Sequence, residues 1–162
     1  MRTFSKLFIV WLMLLSTFLS ACEEDDGYTP PFTCQVNGEE WRPASRLGQL
    51  GMFTYLTDDF LSILGSNDNS GIGLAINDST GIEANKFYAF TNEPIYYGTY
   101  YKRENGARCD YDFPNIISGK MLITRLDDEF ISGTFEFTSY NSDCGDTIKV
   151  TEGRFHINEI TK

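Results

Sequence analysis

The chain has 162 residues, 41% hydrophobic and 15% aromatic, which is enough apolar material for one cored domain and too much for a disordered chain. Its net charge of −10 excludes the basic footprint of a nucleic-acid binder and sets it against anionic lipid surfaces. Any attachment to a membrane must therefore be hydrophobic or covalent.

The first elements in the chain concern location. Arg2 and Lys6 precede "LFIVWLMLLSTFL", residues 7–19. That run is shorter than the roughly 20 apolar residues needed to cross a bilayer, and it fits the apolar region of a secretory signal. Ser20 and Ala21 then precede Cys22, and "LSAC" resembles the bacterial lipobox, Leu-small-small-Cys. The resemblance implies cleavage after residue 21 and acylation of Cys22, where several acyl chains together anchor stably. Removal of residues 1–21 takes away Arg2 and Lys6, so 13 basic residues become 11 against 23 acidic ones, a net charge of −12. "EEDD", Glu23 to Asp26, resembles the acidic export signal that sends lipoproteins of Bacteroidetes-type bacteria to the outer face of the outer membrane. The expected organisation is a signal peptide over 1–21, a lipidated acidic tether over 22–31 with an extended Gly27–Pro31 stretch, and one β domain over 32–162.

From Phe32 onward, short alternating runs are punctuated by Gly, Asn and Asp, with almost no helical period. "FTCQVNGEEW" predicts a hairpin about Asn37-Gly38. "GMFTYLT" and "FLSILGS" predict two strands joined at Thr57-Asp58-Asp59, and "SNDNSG" a turn before "IGLAIND". "NKFYAFT" and "IYYGTYYK" predict aromatic strands on either side of Glu93-Pro94. "ISGKMLITRLDDEFISGTFEFTSYN" predicts a hairpin centred on Asp128, and "TIKVTEGRFHINEI" the closing strand. Nine or ten short strands spaced about ten residues apart predict an all-β fold, an antiparallel sandwich with a lipocalin-like barrel as the alternative.

Once Cys22 is acylated, Cys34, Cys109 and Cys144 remain, and an exported chain can keep one internal disulfide. Extending the Asp128 hairpin register places Cys109 opposite residue 147, near Cys144, with both cysteines in polar loops, "ARCDYD" and "NSDCGD". A Cys109–Cys144 bond would close a loop of about 35 residues and contribute about 3–4 kcal/mol. Cys34 then reads as a small buried strand residue.

Catalytic patterns are weak. His156 is the single histidine, so any Ser-His-Asp or Cys-His arrangement must use it, yet it sits on an alternating strand beside no nucleophile motif. Asp58 with Asp59, Asp127 with Asp128, and Asp110 with Asp112 would serve a glycosidase only across a cleft, and they read as turn residues. "NDNSG", Asn67 to Gly71, lacks the later Glu of a calcium loop. There is no CxxC, and one histidine cannot complete the usual zinc sets. The expectation is no catalytic residue, no metal and no cofactor.

The stretch from Phe87 to Tyr101 carries the functional hint. Tyr96, Tyr97, Tyr100 and Tyr101 form a candidate ligand face for sugar rings or a protein partner, although Tyr is also simply a good strand residue. "FTCQVNGEEWRP", "ISGTFEFT" and "DTIKVTEGRFHI" together resemble a family of uncharacterised Bacteroidetes lipoproteins with a VNGxxW opening hairpin and SGTFxF and EGxF closing strands. The resemblance implies an all-β lipoprotein domain over about residues 32–158, with Asn37, Gly38, Trp41, Gly133, Gly153 and Phe155 as turn and core residues. It implies no catalytic residues. The expected function is that of a surface-anchored, non-catalytic binding or accessory module for a glycan or an outer-membrane protein. The alternatives are a carboxylate-dependent hydrolase and a structural envelope protein.

Overall fold

The computed structural model describes residues 30–46, 49–93, 95–158 and 160–161. Cys22 and its acidic tether lie outside the described residues.

The described residues form thirteen strands, β1 (Phe32–Val36), β2 (Glu39–Trp41), β3 (Ser45–Arg46), β4 (Gln49–Leu50), β5 (Met52–Leu56), β6 (Phe60–Ser66), β7 (Ser70–Asn77), β8 (Lys86–Ala89), β9 (Tyr96–Glu104), β10 (Ala107–Tyr111), β11 (Ile116–Leu126), β12 (Ile131–Asn141) and β13 (Asp146–Ile157). Eleven of them build two antiparallel sheets. One has six strands in the order β2-β1-β13-β12-β11-β8, the other five in the order β10-β9-β7-β6-β5, and the short β3–β4 pair stands apart. Neither sheet closes on itself, so the fold is a β-sandwich rather than a barrel.

Period-2 alternation explains the layers. On β12, Ile131, Gly133, Phe135 and Phe137 are buried while Thr134 and Glu136 are exposed. On β13, Ile148 and Val150 point inward, and so do Gly153, Phe155 and Ile157. Resuming the inward phase three residues after Val150 requires an extra residue. The register shift between Phe135 and Phe137 supplies it, with Glu152 at φ 53°. The opening hairpin turns through Asn37 and Gly38 at φ 53° and 87°, pairing Cys34 with Trp41. Trp41, buried, donates its Nε1 hydrogen to Ser70 Oγ at 2.8 Å and ties this hairpin to the facing sheet.

Two expectations need correction. "ARCDYD" is not a loop: residues 107–111 form β10, an edge strand of the five-stranded sheet that pairs with β9 across an Asn105-Gly106 turn at φ 51° and 82°. This raises the sheet strands from nine or ten to eleven. The Cys109–Cys144 disulfide is present, with Cα atoms 6.1 Å apart, but not because β11 and β12 extend toward Cys109. It forms because β10 packs across the sandwich onto the β12–β13 end, so it joins the two sheets. At the far edge, the chain after β13 crosses the sandwich. Thr161 pairs in parallel with Tyr55, which covers part of the β5 edge.

Candidate functional site

Strand β9 carries all four tyrosines of the aromatic run, and alternation divides them between its two faces. Tyr96 and Tyr100 lie opposite Ile76 and Ile72, inside the sandwich. Tyr96 meets Tyr88 edge-on at 5.3 Å and donates its hydroxyl to Asp78 Oδ2 at 3.0 Å. Tyr100 is buried against Tyr111 at 5.8 Å, and burial raises the pKa of its phenol. These two tyrosines are core residues, so the four do not form one ligand face.

Tyr97 and Tyr101 point outward, opposite Ala75 and Gly71 of β7. Gly71 has a structural reason here: a Cβ at that position would run into Tyr101 Cε1, so the phenol ring lies flat across the central strand. Next along β7, a Cβ on Gly73 would come within 2.6 Å of Thr99 Oγ1 and 3.0 Å of Leu64 Cδ2. Leu64 in turn faces Phe53 across the β5–β6 pair. Side chains from both neighbours fold over the small residues of β7, which is buried on both faces from Ser70 to Ile76. The result is an apolar floor on the open side of the sheet. Its rim is Phe53, 51% exposed, Leu64, 47% exposed, and the half-buried Tyr55, Tyr97 and Tyr101. At the β9–β10 end, Arg103 and Arg108 stand directly opposed, with guanidinium carbons 5.8 and 4.3 Å from the Tyr101 ring centroid. Arg108 pairs with Asp110 at 2.7 Å, whereas Arg103 has no carboxylate partner among the described residues.

The outer face of the six-stranded sheet differs. A shallow depression of about 200 Å³ there is lined by Phe87, Lys120, Leu122, Glu136, Glu152 and Arg154. Two of its charges satisfy each other, while Arg154, like Arg103, shows no ion pair among the described residues. Lys120 pairs with Glu136 at 3.2 Å, and Gln35 donates to Glu152 at 2.9 Å. His156 lies on the same face, with Nδ1 2.7 Å from Ser132 Oγ and its ring stacked on Phe130 at 4.9 Å. The pair has hydroxyl–imidazole contact but stands on an open strand surface.

The carboxylates of the sequence take up local roles. Asp59 accepts from the Thr57 hydroxyl at 2.9 Å, and Asp127 accepts from the Glu129 and Phe130 amides at 3.0 and 2.8 Å, so both close turns. Burial, then the neighbouring Asp110, pushes the Asp112 carboxyl upward. Asn67 Oδ1 accepts from the Asn69 and Ser70 amides at 3.1 and 2.8 Å, a turn rather than an ion loop. Among the described residues, no three His, Cys, Asp or Glu side chains are grouped to hold a metal. Cys34 is buried as a free thiol, and burial pushes its pKa up to about 12.

Two polar clusters escaped the sequence reading. Asp78, only 6% exposed, accepts from the Thr80 amide and hydroxyl, Lys86 Nζ and the Tyr96 hydroxyl at 2.7–3.0 Å. The Thr80 hydroxyl, then Lys86, hold its carboxyl far below the usual range. Asp146 accepts from the buried Tyr111 hydroxyl and from Lys102 Nζ, which hold it low as well. Each cluster joins the two sheets, since Lys86 and Asp146 come from one and Tyr96, Lys102 and Tyr111 from the other. Asp78 is buried and Asp146 half-buried, and neither stands in a sequence pattern that announces its partners.

A family model described as a domain of unknown function, DUF6252, matches residues 28–157, and the chain belongs to that family. No curated protein and no solved structure matches the chain.

Proposed function

We propose that this member of the DUF6252 family is a lipid-anchored cell-surface lipoprotein, a non-catalytic module that binds glycan on the outer face of its five-stranded sheet. The observation that carries the reading is the open apolar floor over Gly71, Gly73 and Ala75, rimmed by Phe53, Leu64, Tyr97 and Tyr101. A sandwich needs its inner faces apolar, whereas a face turned to water is ordinarily polar. Flat aromatic rings with polar tips suit the C–H faces of sugars and the hydroxyls around them. The lipobox at Cys22 and the acidic residues after it support an outer-membrane anchor with the domain facing outward.

Two measurements test the reading. The full chain is screened on a glycan array beside Tyr97→Ala/Tyr101→Ala, which leaves the inward Tyr96 and Tyr100 in the core. Binding by the parent and its loss in a folded variant is the expected result. No glycan bound by a folded parent overturns it, and capture of an outer-membrane protein instead would assign the face to that partner. For the anchor, Cys22→Ser is expected to stop palmitate incorporation and release the protein from membranes, while incorporation unchanged by the substitution rejects the lipobox.

A further inference from the structure

We infer that the glycan is anionic, a polysaccharide bearing carboxylate or sulfate groups, and that Arg103 and Arg108 bind the anion. This deepens the glycan-binding reading above and depends on it.

Like charges placed directly opposite each other on an antiparallel pair weaken it. The β9–β10 register nevertheless opposes Arg103 to Arg108. It does so on a chain whose net charge is −10, where carboxylates are the common charged group. The Tyr101 ring and the Arg108–Asp110 pair hold the two guanidiniums side by side despite that repulsion. Both lie against the Tyr101 ring, at 5.8 and 4.3 Å, and that contact orders their planes. An ordered guanidinium offers a planar fork of N–H donors that matches a carboxylate or sulfate two atoms at a time. Arg108 shares its charge with Asp110, but Arg103 has no carboxylate among the described residues and is exposed. A positive site thus stands at one end of the aromatic floor.

The spacing favours a polymer over a single sugar. Tyr97 and Tyr101 are four residues apart on one face of β9, roughly 13 Å along an extended strand. A chain stacked on Tyr97 brings the acidic group of another unit onto the guanidiniums that lie over Tyr101. The acidity of the rest of the protein does not forbid this. At physiological ionic strength, charges farther away than about 8 Å are largely screened, so the local arginines set the field at the contact.

The test is affinity electrophoresis of the purified full chain in gels containing polygalacturonate, dextran sulfate or neutral dextran, with oligosaccharide titrations for Kd. The expected result is retardation by one or both polyanions and none by dextran. The polygalacturonate and dextran sulfate arms tell carboxylate from sulfate. Arg103→Gln/Arg108→Gln should weaken that binding by at least about tenfold, the scale of one lost charge-assisted contact. Lys120→Gln/Arg154→Gln, on the other sheet, should leave it unchanged. Circular dichroism confirms that each variant is folded. Equal retardation by neutral glycans with no effect of the arginine pair overturns the anionic inference and leaves the glycan reading standing. An equal loss from the Lys120/Arg154 variant also overturns it, because binding would then follow charge anywhere on the protein. Retardation by no polysaccharide at all overturns the underlying reading.

Discussion

The outer faces of the two sheets are built on the same alternation and end with opposite character. On the six-stranded sheet, outward side chains find each other: Lys120 with Glu136, Ser132 with His156, Gln35 with Glu152. On the five-stranded sheet, the central strand β7 places Gly71, Gly73 and Ala75 outward, and its neighbours cover them with Tyr101, Leu64, Thr99 and Tyr97. The difference originates in one strand. Small residues at alternate positions of β7 leave room at the middle of that face, so Tyr101, Leu64 and Thr99 from the flanking strands lie down over the strand. That surface buries the small residues of β7 beneath a water-facing rim. It stays open at the Phe53–Leu64 end and becomes cationic at the Arg103–Arg108 end.

The largest expected effect comes from uncoupling the two faces. Cys109 lies on β10, the strand that also carries Arg108, and its disulfide fastens that edge to the end of the β12–β13 hairpin. Cys109→Ser/Cys144→Ser should lose about 2–5 kcal/mol of stability, read from urea unfolding. It should also weaken polyanion binding, because β10 is freed from the opposite sheet. A stability change under 1 kcal/mol would mean that packing alone holds the edge. Next in size is Gly71→Ala. Its methyl group displaces the Tyr101 ring, and overpacking of this kind costs about 1–3 kcal/mol. Binding should fall with it, although Gly71 itself offers no side chain to a ligand. Unchanged binding in the folded variant would remove Tyr101 from the site.

How much of this was legible depends on the range of the signal. The Asn37-Gly38 hairpin and the β11–β12 register are short-range features, carried by a turn dipeptide and by alternation, and Met121 does pair with Phe135 about residue 128. The same dipeptide occurs at Asn105-Gly106 and marks the β9–β10 hairpin equally well. Its flanks, "KRENGARCD", are charged and lack the apolar alternation that marks a strand, because an edge strand is allowed to be charged. The division of the four tyrosines follows from period 2, but which pair faces inward depends on the sheet opposite. Tyr88 and Tyr96 meet across the sandwich, although eight residues apart, because β8 and β9 belong to different sheets. The Asp78 and Asp146 clusters are likewise products of sheet-to-sheet contact, and no local pattern announces them.

Those two carboxylates set the acid limb of stability. Both are held below the ordinary range, Asp78 chiefly by the Thr80 hydroxyl and Lys86, Asp146 chiefly by the Tyr111 hydroxyl. A carboxyl whose folded pKa is depressed stabilises the fold above its unfolded value, about 4, and loses that contribution as pH falls toward the folded value. Urea midpoints should therefore be flat near neutrality and drop below about pH 4. In Asp78→Asn the drop should be shallower, starting from a lower midpoint at pH 7. An acid limb identical to that of the parent would mean that this junction between the sheets contributes nothing to it.

The smallest effect is expected on the face that looks most like a site by shape. The depression around Lys120, Glu136 and Arg154 has volume, charge and the 63%-exposed Phe87 at its edge. Yet the Lys120–Glu136 pair is about half exposed on both sides, at 54% and 53%, where ion pairs contribute little because water and salt screen them. Lys120→Ala should move stability by no more than about 0.5 kcal/mol and leave polyanion binding unchanged. The same substitution also removes the ammonium lying 5.8 Å from the Phe87 ring. A loss of binding in this variant would therefore shift the ligand to the six-stranded sheet and invert the contrast between the faces. Retention of binding, together with its loss in the arginine variant, would leave shape as the poorer guide: the ligand would follow the opposed guanidiniums and the apolar floor, not the hollow.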